Sequence, residues 1–300
     1  MNRRDFLKTS AIAGVGLSIS LPLDFLIDSC EAAYKSELIV ATGPYPGKIT
    51  RAAVEALGGM HKFISKGDIV VVKPNIGWDR LPEQAATTNP EVVAAIVLMC
   101  FEAGAKKVKV FDRTVNDPRR CYVQSGIAPA ARNVGAEVSH IDERKFKETA
   151  LGGLALKTWP LYEDNLNADK VINVPIAKHH SLSKLTLGMK NWMGIMGGSR
   201  SQIHQRIDES LVDVAKVIKP ALTIIDAVRI LTRNGPQGGN AADVKKLDTV
   251  VVGVDQVAVD SYAATLFGIK GSELGYVRIG DKSGLGTMDL SKVKIIKVSV

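Results

Sequence analysis

The centre of the chain reads Lys170-Val171-Ile172-Asn173-Val174-Pro175 and continues to Lys178-His179-His180. The β-branched run at 170–174 predicts a buried strand, and residues 183–192 predict a helix after it. Short β-branched runs and helical stretches alternate in this way from residue 37 to residue 298. Such alternation is typical of βαβ units. The sequence therefore predicts an α/β fold with a mainly parallel sheet and helices on both faces.

The same patterns assign elements along the whole of this region. Predicted strands cover residues 37–41, 69–73, 107–112, 136–140, 170–174, 222–226, 249–254 and 292–298. Predicted helices cover residues 49–57, 90–103, 118–134, 183–192, 209–218, 256–267 and 272–279. Three loop-rich stretches, 78–89, 142–169 and 195–206, are placed to cover a cleft. A junction between two lobes within 142–169 is an alternative to a single body.

Polar residues follow several predicted strands at their carboxyl ends. They are Lys73 with Asn75, Asp112 with Arg113, Lys178 with His180, Asp226, and Asp255. Ligands of open α/β sheets bind at this edge. Each residue alone has an ordinary explanation, such as a solvated lysine or a helix cap. Their convergence on one edge predicts a binding cleft.

Five side chains are expected to carry the chemistry of this cleft: Lys73, Lys178, His180, Lys190 and Asp226. Lysines among apolar strand ends can act as acid, base or carboxylate clamp, and His180 is expected to transfer protons near neutral pH. His179 and His180 point to opposite sides of an extended backbone, so one of them should face the site. Lys190 has a structural alternative at the end of its predicted helix, where it would bond to free carbonyl groups.

A divalent metal ion is a candidate cofactor. Its ligands would come from Asp255, Asp260 and His204, with Asp226 and His180 as further donors. The chain has no close-set ligand pair such as two histidines four residues apart. Asp255 is also well placed to cap the helix at 256–267. Asp260 stands in an otherwise apolar helix, so its carboxylate should be buried with a partner or lie on a narrow wet face.

A glycine-rich turn follows at Asn234-Gly235-Pro236-Gln237-Gly238-Gly239. Backbone N–H groups of such a turn can point at an anion. The spacing matches neither of the common nucleotide-binding fingerprints. The sequence leaves two readings of Gly235 and Gly238, an anion cradle and a plain mobile turn.

The charge of the chain favours an anionic small molecule as ligand. Lys and Arg number 39 against 31 Asp and Glu, a net charge of +8. A nucleic acid partner is not expected, because the lysines are scattered and aromatic residues make up 5% of the chain.

The amino terminus reads Asn2-Arg3-Arg4-Asp5-Phe6-Leu7-Lys8, which looks like a twin-arginine export signal. The apolar run at 11–23 is shorter than the roughly 20 residues of a membrane span. Small residues at Cys30 and Ala32 predict cleavage that divides the chain into a signal peptide at 1–32 and an α/β domain at 33–300. We expect the twin-arginine translocase to deliver the folded protein to the periplasm. The alternative is a lipoprotein anchored through Cys30.

Cysteine content after this cut argues against an iron–sulfur cluster. Cys100 and Cys121 would remain in the mature chain. Such a cluster needs about four clustered thiolates.

Six motifs occur in an order that resembles the domain-of-unknown-function family 362. They are Lys73-Pro74-Asn75, Thr88-Asn89-Pro90, Asn173-Val174-Pro175 with Lys178-x-His180, Thr186 to Lys190-Asn191, Asn234-Gly235-Pro236 with Gly238, and Asp255-x-Val257-Ala258-x-Asp260. The resemblance spans most of residues 36–270. The family's reaction is not established. Within these motifs, Asn75, Asn173 and Asn191, with Gly235 and Gly238, are the predicted cofactor-binding residues.

Two features depart from the family's pattern. Many members carry ferredoxin-type cysteine motifs, which this sequence lacks, so an iron–sulfur cluster is not implied for it. Members often have Asp-Ser-Pro-Gly after the third strand, where this chain has Asp112-Arg113-Thr114-Val115. A basic group therefore stands near the expected cleft.

Two functions fit these observations. The first is an exported enzyme, linked to redox or metal chemistry, that acts on an anionic small molecule in a basic cleft at the strand ends. The second is a non-catalytic periplasmic factor that binds a ligand or assembles with a membrane redox partner. Fold alone does not choose between them.

Overall fold

A ten-stranded sheet organises residues 36–300, the part of the chain that the computed structural model describes. The predicted signal peptide, with Arg3, Arg4 and Cys30, lies outside the described residues. Of the twelve strands in the described residues, β5 and β6 form a separate two-stranded sheet and the other ten form this one. The strands are β1 Ser36–Thr42, β2 Ile69–Pro74, β3 Lys107–Val110, β4 Glu137–Val138, β5 Phe146–Ala150, β6 Thr158–Tyr162, β7 Lys170–Val174, β8 Ile176–His180, β9 Lys184–Thr186, β10 Leu222–Leu231, β11 Val244–Gly253 and β12 Val293–Ser299.

The strand order of the main sheet is β12-β1-β11-β10-β7-β2-β3-β4, and β8 and β9 join it beside β10. Parallel pairs run from β10 through β7, β2 and β3 to β4. The pairs β12–β1 and β8–β10 are also parallel. Antiparallel pairs join β11 to both β1 and β10, and β9 to β8. The predicted mainly parallel α/β sheet is confirmed.

Helices cover both faces of this sheet. They are α1 Pro46–Ala56, α2 Pro90–Glu102, α3 Pro118–Gln124, α4 Ile127–Asn133, α5 Glu163–Leu166, α6 Gly188–Asn191, α7 Arg200–Gln205, α8 Ile207–Val217, α9 Gln256–Thr265 and α10 Gly275–Lys282. Apolar residues of α1 to α4 belong to one core, and those of α8 to α10 belong to the other. Within residues 36–300, no helix has the length and apolar character needed to cross a membrane.

Alternation along the strands decides which side chain enters which core. On β2, Val70 and Val72 belong to the core under α1 to α4, and Val71 belongs to the opposite core. Successive side chains of a strand point to opposite faces, so Lys73 shares the face of Val71. Lys73 pairs in register with Asn173 of β7. These two polar residues therefore meet on the face that carries α6.

Residues 183–192 differ from the predicted single helix. The first part forms β9, which pairs with β8 through Lys178 with Thr186 and His180 with Lys184. Lys184 has φ 62°, a left-handed conformation that ends helical geometry. Only the short α6 follows, and then a 3₁₀ turn at Trp192–Ile195. Cross-strand pairing with β8 overrides the local helical pattern here.

Three other stretches also depart from the sequence pattern. The predicted helix at 118–134 is two helices, because Gly126 has φ 69° and separates α3 from α4. The stretch 142–169, where a junction between two lobes was an alternative, contains the antiparallel hairpin of β5 and β6 and the short α5. The stretch 195–206, predicted as loop, contains α7.

Candidate functional site

The carboxyl ends of β2 and β3 open onto a cavity of about 320 Å³. Residues of β8, β9, α6 and α7 supply much of the remaining lining. The polar lining includes Lys73, Asn75, Asp112, Arg113, Lys178, His180, Thr186, Lys190, Asn191, Arg200 and His204. Most of the side chains that the sequence singled out therefore meet at one cavity, at the sheet edge where they were expected.

Lys73 and Asp112 form a buried ion pair at the base of the cavity. Their charged atoms, Nζ and Oδ1, lie 2.7 Å apart, and both side chains are almost fully buried. The other carboxylate oxygen of Asp112 accepts the N–H of Ile76 at 2.6 Å. Burial lowers the pKa of Lys73, and the charge of Asp112 opposes this shift. Among the three lysines that line the cavity, Lys73 is thus the one that is paired with a carboxylate.

A network of amide side chains attaches α6 to the sheet. The Asn191 amide donates to Asn173 Oδ1 at 2.9 Å and to the Lys73 carbonyl at 3.1 Å. Its oxygen accepts from Lys73 Nζ at 3.1 Å and from Asn75 Nδ2 at 3.3 Å. Asn173 in turn donates to the Gly188 carbonyl at 2.8 Å. The three predicted asparagines therefore position α6, and with it Lys190, above the sheet.

Lys178 projects from β8 into the same cavity and is 1% exposed. Its ammonium donates to the Ala86 carbonyl and to Asn75 Oδ1. Burial, and then the neighbouring charge of Lys190, lowers the pKa of Lys178 to about 7. Its charged and neutral forms are therefore both populated near neutral pH.

Lys190 of α6 is 6% exposed and has a different environment. Its Nζ lies 2.7 Å from the thioether sulfur of Met193. Burial, and then the charge of Arg200, lowers the pKa of Lys190 to about 7. The amine does not bond to the free carbonyl groups at the end of its helix, which was the structural alternative for Lys190.

His180 lines the cavity, whereas His179 contacts the glycine-rich turn. The His180 Nδ1 accepts the N–H groups of Leu182 at 3.1 Å and Ser183 at 3.4 Å. An accepting Nδ1 carries no proton, so the neutral ring holds its hydrogen on Nε2. Burial and the charge of Lys190 lower the pKa of His180 to about 3. His180 is therefore a neutral hydrogen-bond donor at neutral pH, which differs from the expected proton-transfer role.

Arg200 and His204 lie one turn apart on α7. Arg200 donates to the carbonyl of Thr114 at 3.0 Å and to that of Arg113. His204 Nδ1 lies 2.6 Å from the Arg200 carbonyl, which can only accept, so Nδ1 carries the hydrogen. Burial lowers the pKa of His204. The His180 and His204 rings stack with centroids 6.1 Å apart.

Comparison with known proteins identifies the family. The family described as Domain of unknown function (DUF362) matches residues 70–265, a span that runs from β2 to the end of α9 and contains every lysine of the cavity. The chain belongs to the DUF362 family. A thylakoid-associated protein of Synechocystis is 30% identical to this DUF362 protein over 202 residues, which cover 65% of this chain and 62% of the relative.

Two solved structures are similar to this DUF362 protein at low sequence identity. The lactate racemase apoprotein of Thermoanaerobacterium thermosaccharolyticum has a TM-score of 0.44 and 12% identity, over 70% of this chain and 53% of that one. A Thermotoga maritima protein has a TM-score of 0.45 and 11% identity, over 76% and 60% of the two chains. The chain thus spans less than two thirds of the length of each of these three relatives.

Three predicted aspartates serve the backbone of this DUF362 protein and do not line the cavity. Asp226 accepts the N–H groups of Asn89 at 2.7 Å and Val228 at 3.0 Å, and burial raises its pKa to about 7. Asp260 is fully buried and accepts the N–H groups of Gly188 at 2.6 Å and Met189 at 2.9 Å. It therefore caps the amino end of α6.

Asp255 caps α9 through the N–H groups of Val257 and Ala258. Its second carboxylate oxygen accepts the N–H of Thr287. The predicted metal ligands Asp255, Asp260 and His204 are thus not brought together. Among residues 36–300, no group of three or more His, Cys, Asp or Glu side chains is arranged to hold a metal ion.

The glycine-rich turn reaches the cavity through Pro236. The Gly235 N–H donates to His179 Nδ1 at 3.1 Å, and the Gly238 N–H donates to the Asn234 carbonyl at 3.2 Å. Gly238 has φ 58°, which favours glycine at this turn. Both N–H groups are used within the protein, so this conformation fits a structural turn better than an anion cradle.

Two residues of the site, Arg200 and Gly194, were not among the sequence candidates, and the partner of a third, Asp112, was not predicted. Asp112 was noted at its strand end, but its pairing with Lys73 joins distant segments. Arg200 stands four positions before His204, and this helical spacing is the signal that would have pointed to it. Gly194 carries no such signal. It packs so closely on the ion pair that a Cβ there would overlap Asp112 Oδ1 and Lys73 Nζ.

Proposed function

We propose that this DUF362 protein is an enzyme that binds a small organic anion in the cavity beside β2 and β3. The observation that carries the proposal is an imbalance of charge. Five cationic side chains line the cavity, whereas Asp112 is the one carboxylate among the described lining residues. Buried charges are costly unless they have a partner of opposite sign. Lys73 has Asp112 and Arg113 has Glu143 as such a partner, and an anionic ligand would supply one for Lys178, Lys190 and Arg200.

Lys178 and Lys190 are the proposed acid–base groups. A group with a pKa of about 7 exchanges protons efficiently at neutral pH. Lys73, held by Asp112, would contribute a fixed positive charge. The Nε2–H of neutral His180 would donate to an oxygen atom of the ligand. This division of roles assigns proton transfer to the lysines and orientation to the histidine.

Ligand-dependent melting of a Lys178→Met variant tests the site. A carboxylate or phosphate ester at a hundred times its Kd should stabilise the wild-type protein by about 2.7 kcal/mol. The variant should lose at least about tenfold in affinity, because one cation of the site is gone. Its stability without ligand should equal or exceed that of the wild type, since methionine fills a buried site without a charge. Thermal shift across a panel of small anions gives both values.

The matched control for this experiment is Lys147→Met, which removes an exposed lysine of β5. It should bind the ligand as the wild type does. A panel in which no anion stabilises the wild-type protein would overturn the proposal. An anion that binds but is recovered unchanged, as judged by NMR of the mixture, would favour the non-catalytic alternative.

We further propose that the twin-arginine pathway exports the protein. The support is the sequence Arg3-Arg4-Asp5-Phe6-Leu7 ahead of an apolar run. Changing Arg3 and Arg4 together to lysine should retain the protein in the cytoplasm, because the pathway recognises the arginine pair.

Fractionation of cells that express each variant measures this effect. The matched control is lysine at both Arg119 and Arg120, a second adjacent arginine pair, which lies exposed around the start of α3. That control should be exported as the wild type is. Equal export of both double variants would refute the assignment.

A further inference from the structure

The three lysines of the cavity differ in their hydrogen-bond partners. Lys73 is paired with the Asp112 carboxylate, and Lys178 donates to two oxygen atoms. Lys190 has the Met193 sulfur as its partner among the described residues. A thioether is a weak acceptor, so it compensates a buried ammonium poorly. Lys190 is the lysine whose surroundings least support a positive charge.

The charged neighbours of Lys190 also disfavour its protonated form. Arg200 is the charged group that lowers the pKa of Lys190 after burial itself. Lys190 in turn lowers the pKa values of Lys178 and His180, which indicates that it stands close to both. A desolvated lysine beside other cations is an activated amine nucleophile. Its neutral nitrogen would attack a carbonyl carbon.

The other groups of the cavity suit an oxygen-rich ligand. Arg200 and Lys178 supply positive charge for a carboxylate, and the Nε2–H of His180 supplies a donor for a second oxygen atom. A carboxylate next to a ketone or aldehyde carbon presents both features within three atoms. The apolar side chains Trp78 and Leu182 also line the cavity.

We propose that Lys190 forms an imine with the carbonyl carbon of a small 2-oxo acid. The inference rests on the proposed anion site and names the class of its ligand. The Lys190 nitrogen adds to the carbonyl carbon, and the resulting carbinolamine loses its oxygen as water. Both hydrogens of that water come from the neutral amine, and the C=N bond replaces the C=O bond. The step requires no oxidant and no reductant.

The imine then accepts one proton from the surrounding acid–base groups. The resulting iminium withdraws electrons from the adjacent carbon. It would therefore assist removal of a proton from that carbon, which is C3 in pyruvate and 2-oxoglutarate. Lys178, whose pKa is lowered to about 7, would take or return the proton.

Reductive trapping tests the imine directly. The full-length protein is incubated with glyoxylate, pyruvate or 2-oxoglutarate and cyanoborohydride, and the adduct is located by peptide mass spectrometry. At pH 7 about half of the Lys190 side chain is neutral, against about one in 2,500 for an ordinary lysine with pKa ≈ 10.4. Labelling at Lys190 should therefore exceed labelling at exposed Lys147 by at least about tenfold. It should increase as pH rises from 6 to 8, because the neutral fraction rises.

Two controls separate the imine from the anion site. Lys190→Met should fold, as measured by its melting temperature, and should lose the adduct. Propanoate has the carboxylate without the carbonyl group, so it should stabilise the protein without labelling it. Stabilisation by these anions with no adduct at Lys190 from any of the three 2-oxo acids overturns the imine and leaves the anion site standing. Absence of stabilisation by every anion overturns both.

Discussion

Asp112→Ala is expected to lower the free energy of unfolding by about 3–5 kcal/mol, because it leaves Lys73 buried without its carboxylate. The variant also loses the acceptor for the Ile76 N–H. This loss of stability should become smaller as the pH rises. A lysine whose pKa is depressed in the folded state releases its proton there before it does so in the unfolded chain, so stability increases with pH. Urea unfolding at pH 7 and pH 9 measures both effects.

A double variant gives the matched control. Asp112→Leu with Lys73→Met removes both charges from the same buried volume, so its stability should recover most of the loss. Anion affinity should stay low in this variant, since one cation of the cavity is missing. If Asp112→Ala and the double variant are equally unstable, the cost arises from packing and the ion-pair argument fails.

Gly194→Ala is expected to cost about 3 kcal/mol of stability and to abolish anion binding. A Cβ at this position would overlap both charged atoms of the Lys73 and Asp112 pair. The flexible end of Lys73 would have to move, and it would carry the Asn191 bond with it. Gly194 lies outside the left-handed region of φ, so alanine meets no backbone penalty there. The predicted effect is therefore entirely steric.

Gly47→Ala tests whether alanine at a glycine is harmful in general. Gly47 lies in α1, and the nearest side-chain atom to its added Cβ is the Ala95 Cβ at 3.9 Å. This variant should match or exceed the wild-type melting temperature, since alanine favours the helix. A Gly194→Ala protein with unchanged melting and unchanged anion binding would show that the site tolerates displacement of its ion pair.

Much of the fold was predictable because strands carry a local signal. Buried β-branched runs such as Ile69–Pro74 and Lys170–Val174 predict parallel strands. Polar residues at the carboxyl ends of these strands predict the edge of the sheet that binds the ligand. Lys73, Lys178 and Lys190 were recognised in this way. The hairpin of β8 and β9 was missed, because its pairing depends on a neighbour, β10, that lies far along the chain.

The roles of the site residues were less predictable than their places. His180 was expected to transfer protons, yet burial and the charge of Lys190 lower its pKa and keep it neutral, and its Nδ1 accepts two backbone N–H groups. Asp226 and Asp260 were expected to carry chemistry or a metal ion, yet both serve buried N–H groups. A sequence shows that a carboxylate is present, but it does not show which donors surround it in the fold.

The sequence by itself determined the α/β architecture, the basic edge of the sheet and the lysines that stand on it, because periodicity and strand ends are local properties of the chain. Tertiary structure alone decided which lysine is paired with a carboxylate and which is buried without one. Those properties depend on contacts between distant segments, as between Lys73 and Asn191, which are 118 positions apart. Burial and pairing set the charge of each group, and both arise only when such segments pack together.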